Sequence, residues 1–175
     1  MLRYRNPDDQ LIEALHLHLR WLQSDGEQGQ RASLAGMDLS GMKLSGVRLD
    51  AADLAGANFS ASQLAQANLS GARLFRVNFN KTRLMHADLS RANLVGANMQ
   101  QAEMMGVDLE SAKLNLVLLE GADLYAANLT HADLSRANLR DCDLSKARLT
   151  GAIVDQADFT GAKFEETVDI PEQAS

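Results

Sequence analysis

The 175-residue chain holds one cysteine, two prolines, one tryptophan and 5% aromatic residues in all. The single Cys142 excludes an intramolecular disulfide and fits a reducing compartment. No run of 18 apolar residues exists, so no spanning helix is expected. Met1-Leu2-Arg3-Tyr4-Arg5 leads into an amphipathic segment rather than an apolar stretch, so no secretory leader is expected and the expected localisation is cytoplasmic. A basic excess is also missing. Seventeen Lys and Arg stand against 23 Asp and Glu, net −6 at pH 7, and direct nucleic-acid binding is not expected. The four histidines, His16, His18, His86 and His131, are too scattered for a metal site, and no phosphate-cradling glycine motif is present. No cofactor and no metal is therefore expected.

What the chain has instead is a rhythm. From Ala32 to Glu166 the strings Ala52-Asp53-Leu54, Ala57-Asn58-Phe59, Ala67-Asn68-Leu69, Ala132-Asp133-Leu134 and Ala137-Asn138-Leu139 recur at a step of five. With the large apolar residue of each unit as position i, centres run from Leu34 to Phe164 in 27 units. Position i−2 is small, mostly Ala. A period of five is neither the 3.6 of a helix nor the 2 of a flat strand, and internal repetition of this kind means a solenoid.

The pattern resembles the pentapeptide repeat family, with its A(D/N)LXX units. That resemblance implies an all-β solenoid, a right-handed quadrilateral β-helix in which each unit forms one side of a square and four units make a coil of 20 residues. About seven coils rising about 4.8 Å each give a rod of about 32 Å. Ten of the 12 glycines lie at i+2, from Gly36 to Gly161, where a corner needs φ > 0. The other seventeen i+2 residues, Arg76, Lys81, Gln101 and Arg136 among them, either accept strain there or use another turn type. A register of 20 puts Phe59 and Phe79 in one interior column.

The expected organisation is residues 1–31 as capping helix and linker, 32–166 as β-helix, and 167–175 as a short tail. Asn6 reads as an N-cap and Pro7 as the first helical residue. Leu11, Ile12, Leu15, Leu19 and Leu22 make an apolar face, Asp9, Glu13, His16 and Arg20 a polar one, and Gly26 ends the helix. A solenoid exposes a raw end, so an N-terminal α-helical cap is expected. The short tail departs from relatives that dimerise through a C-terminal helix, and at most weak end-to-end self-association is expected.

Inward positions carry no charge and no loops are inserted, so no catalytic residue is expected. The Asp and Asn at i−1 are expected to bond neighbouring backbone rather than act as paired acids. Cys142 is expected to fill the place of an alanine. Position i+1 faces solvent in this reading and is mostly polar. Met85, Met105 and Tyr125 depart from that in one ladder. Phe75 and Val95 depart in another, joined by Leu116 at i+2 and Leu118 at i−1. These two stripes are the candidate protein-binding surface. The basic run Arg73, Arg76, Lys81, Arg83 and Arg91 is a secondary candidate. The expected function is a non-enzymatic protein-binding or scaffold protein whose partner is another protein. Two alternatives come from other classes. Some members of the resembled family protect DNA gyrase by imitating duplex DNA, which here meets 16 acids and 13 bases mixed along the repeat. The other is a secreted bacterial effector.

Overall fold

The computed structural model describes residues 7–172. After helix α1, Pro7–Gln23, the chain forms four-sided coils from Ala32 onward. Parallel bridges join residues 20 apart, from Ser33 with Asp53 to Arg148 with Val168. The sides are too short to be strands, and each contributes one bridge residue per coil. We number the sides 1 to 4 by their first centres, Leu34, Leu39, Leu44 and Leu49, and the coils in chain order from Ala32.

Backbone hydrogen bonding explains the repeat. In each unit the N–H three residues past the centre donates to the centre's carbonyl, as Met37 does to Leu34 (3.1 Å). The N–H groups at i−1, i and i+2 bond the coils above and below, as in Asp53 to Ala32, Leu34 to Asp53 and Gly36 to Ala55. Only the i+1 N–H is left over. The side chain at i−1 takes it: Asp38 Oδ1 accepts from Ser40 N–H at 3.1 Å, Asn58 from Ser60, Asp88 from Ser90, Asn98 from Gln100. Every unit with Asp or Asn at i−1 does this, through Asp158 and Thr160. The acidic or amide residue of the repeat is thus a backbone acceptor, as expected from its short polar side chain. Side 2 adds a ladder along the rod, where Asn58 donates to Asp38 and Asn78 to Asn58.

All corners are alike. Every i+2 residue, glycine or not, has φ between +53° and +77°, in the third place of a hydrogen-bonded four-residue turn, the type II pattern. The seventeen side-chain-bearing corners therefore accept the left-handed region rather than adopt another turn. Stacking overrides local preference, because each corner N–H from Gly36 to Lys146 is committed to the next coil.

The core is the inward pair of columns at i−2 and i, nearly all inaccessible to solvent from Leu49 to Leu149. Phe59 and Phe79 stack one coil apart, centroids 5.3 Å apart and planes 29° apart, in the expected interior column. Two polar residues at i−2 on side 3 bond the coil below, Thr82 Oγ1 donating to the Phe59 carbonyl and Cys142 Sγ to the Leu119 carbonyl, whereas the Ser62 hydroxyl in the same column is buried without a partner. Burial pushes the Cys142 thiol up to about 12, so it packs as a small apolar residue. Phe159 and Phe164 tilt together in the last coil, 5.7 Å apart.

α1 lies over the first coil. Leu11 is buried and Ala14 and Leu15 pack on the core. Two expectations need correction. Ile12 and Leu19 face solvent, at 53% and 38% exposure, and the helix instead buries His18 completely. Its Nδ1 accepts the Ala32 N–H at 3.1 Å. The helix also stops at Gln23, not at Gly26: Asp25 takes φ +51° and the Gly26 N–H caps the Trp21 carbonyl at 2.8 Å. Asn6, the expected N-cap, lies outside the described residues.

The return from α1 passes so close that Gly29 has no room for a side chain. A Cβ there would meet the Leu17 carbonyl oxygen and, at 2.8 Å, the Trp21 nitrogen, both backbone atoms. Gly36, also at positive φ, has open space. Gly36→Ala should cost about 1 kcal/mol, the ordinary left-handed penalty. Gly29→Ala should cost about 2 kcal/mol or more and loosen α1. Urea melts of both variants compare them, and equal costs would show that the close approach has no energetic weight.

Candidate functional site

The corner between sides 1 and 2 is the most unusual outer surface. Phe75, Val95 and Asn115 stack there at i+1, with Arg76, Gly96, Leu116 and Arg136 beside them at i+2. Phe75 is 39% exposed and Leu116 52%, whereas Val95 is half-buried. Leu118, 42% exposed, sits around the corner in the outward column of side 2. The expected second ladder is thus a patch that bends over one edge.

Two of these residues depart from the pattern of their columns. Leu116 is the one large apolar residue among the side-chain-bearing corners, the others being Ala or polar, and it holds φ +59°, where a side chain is disfavoured by roughly 1–2 kcal/mol. Leu118 stands where its column otherwise carries only Asp or Asn, from Asp38 to Asp158. It interrupts this column of short acceptors and leaves the Glu120 N–H without the acceptor found at the neighbouring coils. Both changes expose apolar surface and neither adds to the core.

Most of the charges beside Phe75, Leu116 and Leu118 are positive. Arg76 Cζ lies 5.0 Å from the Phe75 ring centroid. Arg73 and Lys113 share the outward column of side 1, and Arg136 stands on the corner column of Arg76, three coils on. Arg73 is held by Asp53 at 3.0 Å, whereas Lys113, Arg76 and Arg136 take part in no ion pair among the described residues. Asp133 lies in the same column as Lys113. Burial raises its pKa, but hydrogen bonds from the Ser135 and Asn115 side chains and the Ser135 N–H outweigh this and hold it below the usual range. Lys113 and Arg136 escaped the sequence reading, although counting in steps of 20 places both.

The other stripe is weaker. Met105 is 39% exposed, but Met85 and Tyr125 are half-buried and Ser145, expected in solvent, is buried. Lys146 Nζ lies 5.4 Å from the Tyr125 ring centroid. The Tyr125 hydroxyl, followed by Glu166, raises the Lys146 pKa. The basic run does not form one surface. Arg73 lies on side 1, Arg76 on the next corner, Lys81 on the corner after side 2, Arg83 on side 3 and Arg91 after side 4. Arg83 is bound to Glu103 at 3.1 Å.

Acids run through at most three successive coils of a column, Glu103, Asp123 and Asp143, and that run is closed by ion pairs to Arg83 and Lys163. The rings of His86 and His131 lie over Gly106 and Gly151 on different corners. Among the described residues there is no metal-binding cluster, and no helix is long and apolar enough to cross a membrane.

This geometry meets known proteins as follows. The family description "Pentapeptide repeats (8 copies)" matches residues 30–60, 52–91 and 142–168, and "Pentapeptide repeat region" matches 72–149. The chain belongs to the pentapeptide repeat family, whose fold is the right-handed quadrilateral β-helix. The crystal structure of alr5209, a pentapeptide repeat protein from Nostoc PCC 7120, is 29% identical over 58% of this chain and 80% of that one, with a TM-score of 0.52. HetL, involved in heterocyst differentiation regulation in Nostoc sp. strain PCC 7120, is 29% identical over 79% of this chain and 77% of its own, at TM-score 0.39. A trypsin-treated variant of QnrB1, a plasmid-mediated fluoroquinolone resistance protein, is 23% identical over 77% and 71%, at TM-score 0.40. A comparison with curated proteins finds no match.

Proposed function

We propose that this chain is a non-catalytic binding scaffold that engages another protein through the corner between sides 1 and 2. The observation that carries this is the pair Leu116 and Leu118. Both sit where the backbone favours another residue, and both present apolar surface to solvent. Proteins break their own local rules mainly where function requires it. In this reading the β-helix of residues 32–166 is the rigid support and the segment 1–31 is its cap, with α1 shielding the apolar end of coil 1. The absence of charge inside the rod fits a surface role rather than catalysis.

The variant Leu116→Gly/Leu118→Asn tests this. Glycine relieves the left-handed corner. The new amide can accept the Glu120 N–H and stands within the column between Asn98 and Asn138, each bond it gains worth about 0.5–1.5 kcal/mol. Stability should rise by about 1–2 kcal/mol in urea melts. In quantitative affinity capture from the native host, partners retained by the parent protein should be lost. A variant that melts lower would make the two leucines structural. One that keeps every captured partner would move the binding surface elsewhere.

A further inference from the structure

We infer that the occupant of this corner is an acidic amphipathic helix of another protein, lying along the rod axis. The inference rests on the reading of the corner as a binding surface and adds what fits it. Apolar groups here repeat once per coil, about 4.8 Å apart. On a helix, successive side chains of one face are about 5.4 Å apart along the axis, one turn. On an extended strand, side chains of one face are about 6.6 Å apart. Over the two coil steps from Phe75 to Leu116 a helix drifts by about 1 Å and a strand by about 4 Å. The helix matches the ladder and the strand does not. The N–H groups at i−1, i and i+2 of this corner are also committed to the coils above and below, and only those of Phe75 and Asn115 are left over, two coils apart, which is no edge for a strand to join.

The sign of the flanking charge is set by Arg76, Lys113 and Arg136, the three bases without an ion pair beside the patch. Across coils 3 to 6 the columns around this corner carry one acid, Asp133, bonded to Ser135 and Asn115, against Arg73, Arg76, Lys113 and Arg136. Asp53, paired with Arg73, and Asp155, beside Arg136, flank that stretch one coil on either side. The net charge of −6 belongs to the whole chain. At physiological salt a charge is felt over only about 8 Å, so the local bases govern what docks. An acidic helix with Leu or Phe at successive turns satisfies both the apolar spacing and the charge. A basic helix, a membrane or a nucleic acid satisfies one of them at most.

The test is a displayed library of 18-residue helices. One face is fixed as Leu and Phe at successive turns, and the flanking positions are randomised among Glu, Lys, Gln and Ser. Selection against the full chain should enrich Glu at the flanks. Selected peptides should bind Arg76→Glu/Lys113→Glu/Arg136→Glu at least tenfold more weakly, by fluorescence anisotropy. Enrichment of Lys, absence of charge bias, or no enrichment at all overturns the acidic-helix occupant. Selected peptides that bind Leu116→Gly/Leu118→Asn as tightly as the parent protein show a different site and overturn the corner reading itself. Peptides that lose binding to Leu116→Gly/Leu118→Asn but not to the charge-reversed variant leave the corner standing and refute only the acidic partner.

Discussion

Phe79→Ala should lower the unfolding free energy by about 3–5 kcal/mol, the range for truncating a buried Phe. Phe79 is inaccessible to solvent and stacks on Phe59 at 5.3 Å. Removing it leaves a void across the joint between coils 2 and 3. A solenoid is stabilised by nearest-neighbour contacts, so a weak joint acts along the whole rod. The coils before Leu74 should then exchange amide hydrogens faster than those after Leu94, where the parent protein protects both. Phe79→Leu should cost much less, since leucine fills the same inward column at Leu119 and Leu139. Urea melts and hydrogen exchange by mass spectrometry test this. Equal costs for the two substitutions would mean that the void is not what matters.

Acid should release α1. His18 is completely buried against coil 1, its Nδ1 accepting the Ala32 N–H and its ring 5.6 Å from that of Trp21, nearly parallel. Its Nε2 is buried without a hydrogen-bond partner. Burial lowers the His18 pKa. The Asp50 carboxylate and backbone carbonyl pull it up, and Arg48 and Arg31 push it down again. The sign follows from linkage. The unfolded pKa is about 6.5, and the folded one lies below it. At high pH neither state takes a proton and stability is unaffected. As pH falls below about 6.5 the undocked state protonates first, and stability is lost until the folded pKa is passed. Protonation also removes the acceptor for Ala32. Trp21, the only tryptophan, reports undocking by fluorescence. His18→Ala should abolish this pH dependence while costing about 1–3 kcal/mol at pH 8 through the orphaned Ala32 N–H. His16→Gln, on the exposed face of the same helix, should leave the transition in place. A transition that survives in His18→Ala would assign it to another group.

Much of this was legible in the residues. A step of five with an inward centre fixes corners, columns and the pairing of Phe59 with Phe79. It also places Asp and Asn where a short acceptor is useful. Less legible was the uniform corner. Local preference disfavours Arg76 or Leu116 at positive φ, and only the stacked hydrogen bonds, which no single unit shows, hold them there. His18 was legible by spacing alone. Leu11, Leu15, His18 and Leu22 follow the spacing of one helical face, and the bond from Ala32 makes an inward place acceptable to a polar ring. The candidate corner was half visible. The apolar residues stood out by type, but Lys113 and Arg136 join them only when the chain is wound. Winding also disperses the basic run from Arg73 to Arg91 around all sides of one coil.

The bridge spacing of 20 makes this chain sensitive to the size of an insertion in an unusual way. Adding or removing a whole coil slides everything downstream along the axis and leaves every surface facing as before. Adding or removing a single unit between Phe75 and Leu116 preserves the core equally well, because each side accepts the same inward pair. It turns the distal half by a quarter, so Leu116 and Leu118 no longer line up with Phe75. The fold would tolerate both changes, and the orientation of its surfaces only the first. Gain and loss of length are therefore translations or rotations of a recognition surface, and the number of units alone decides which.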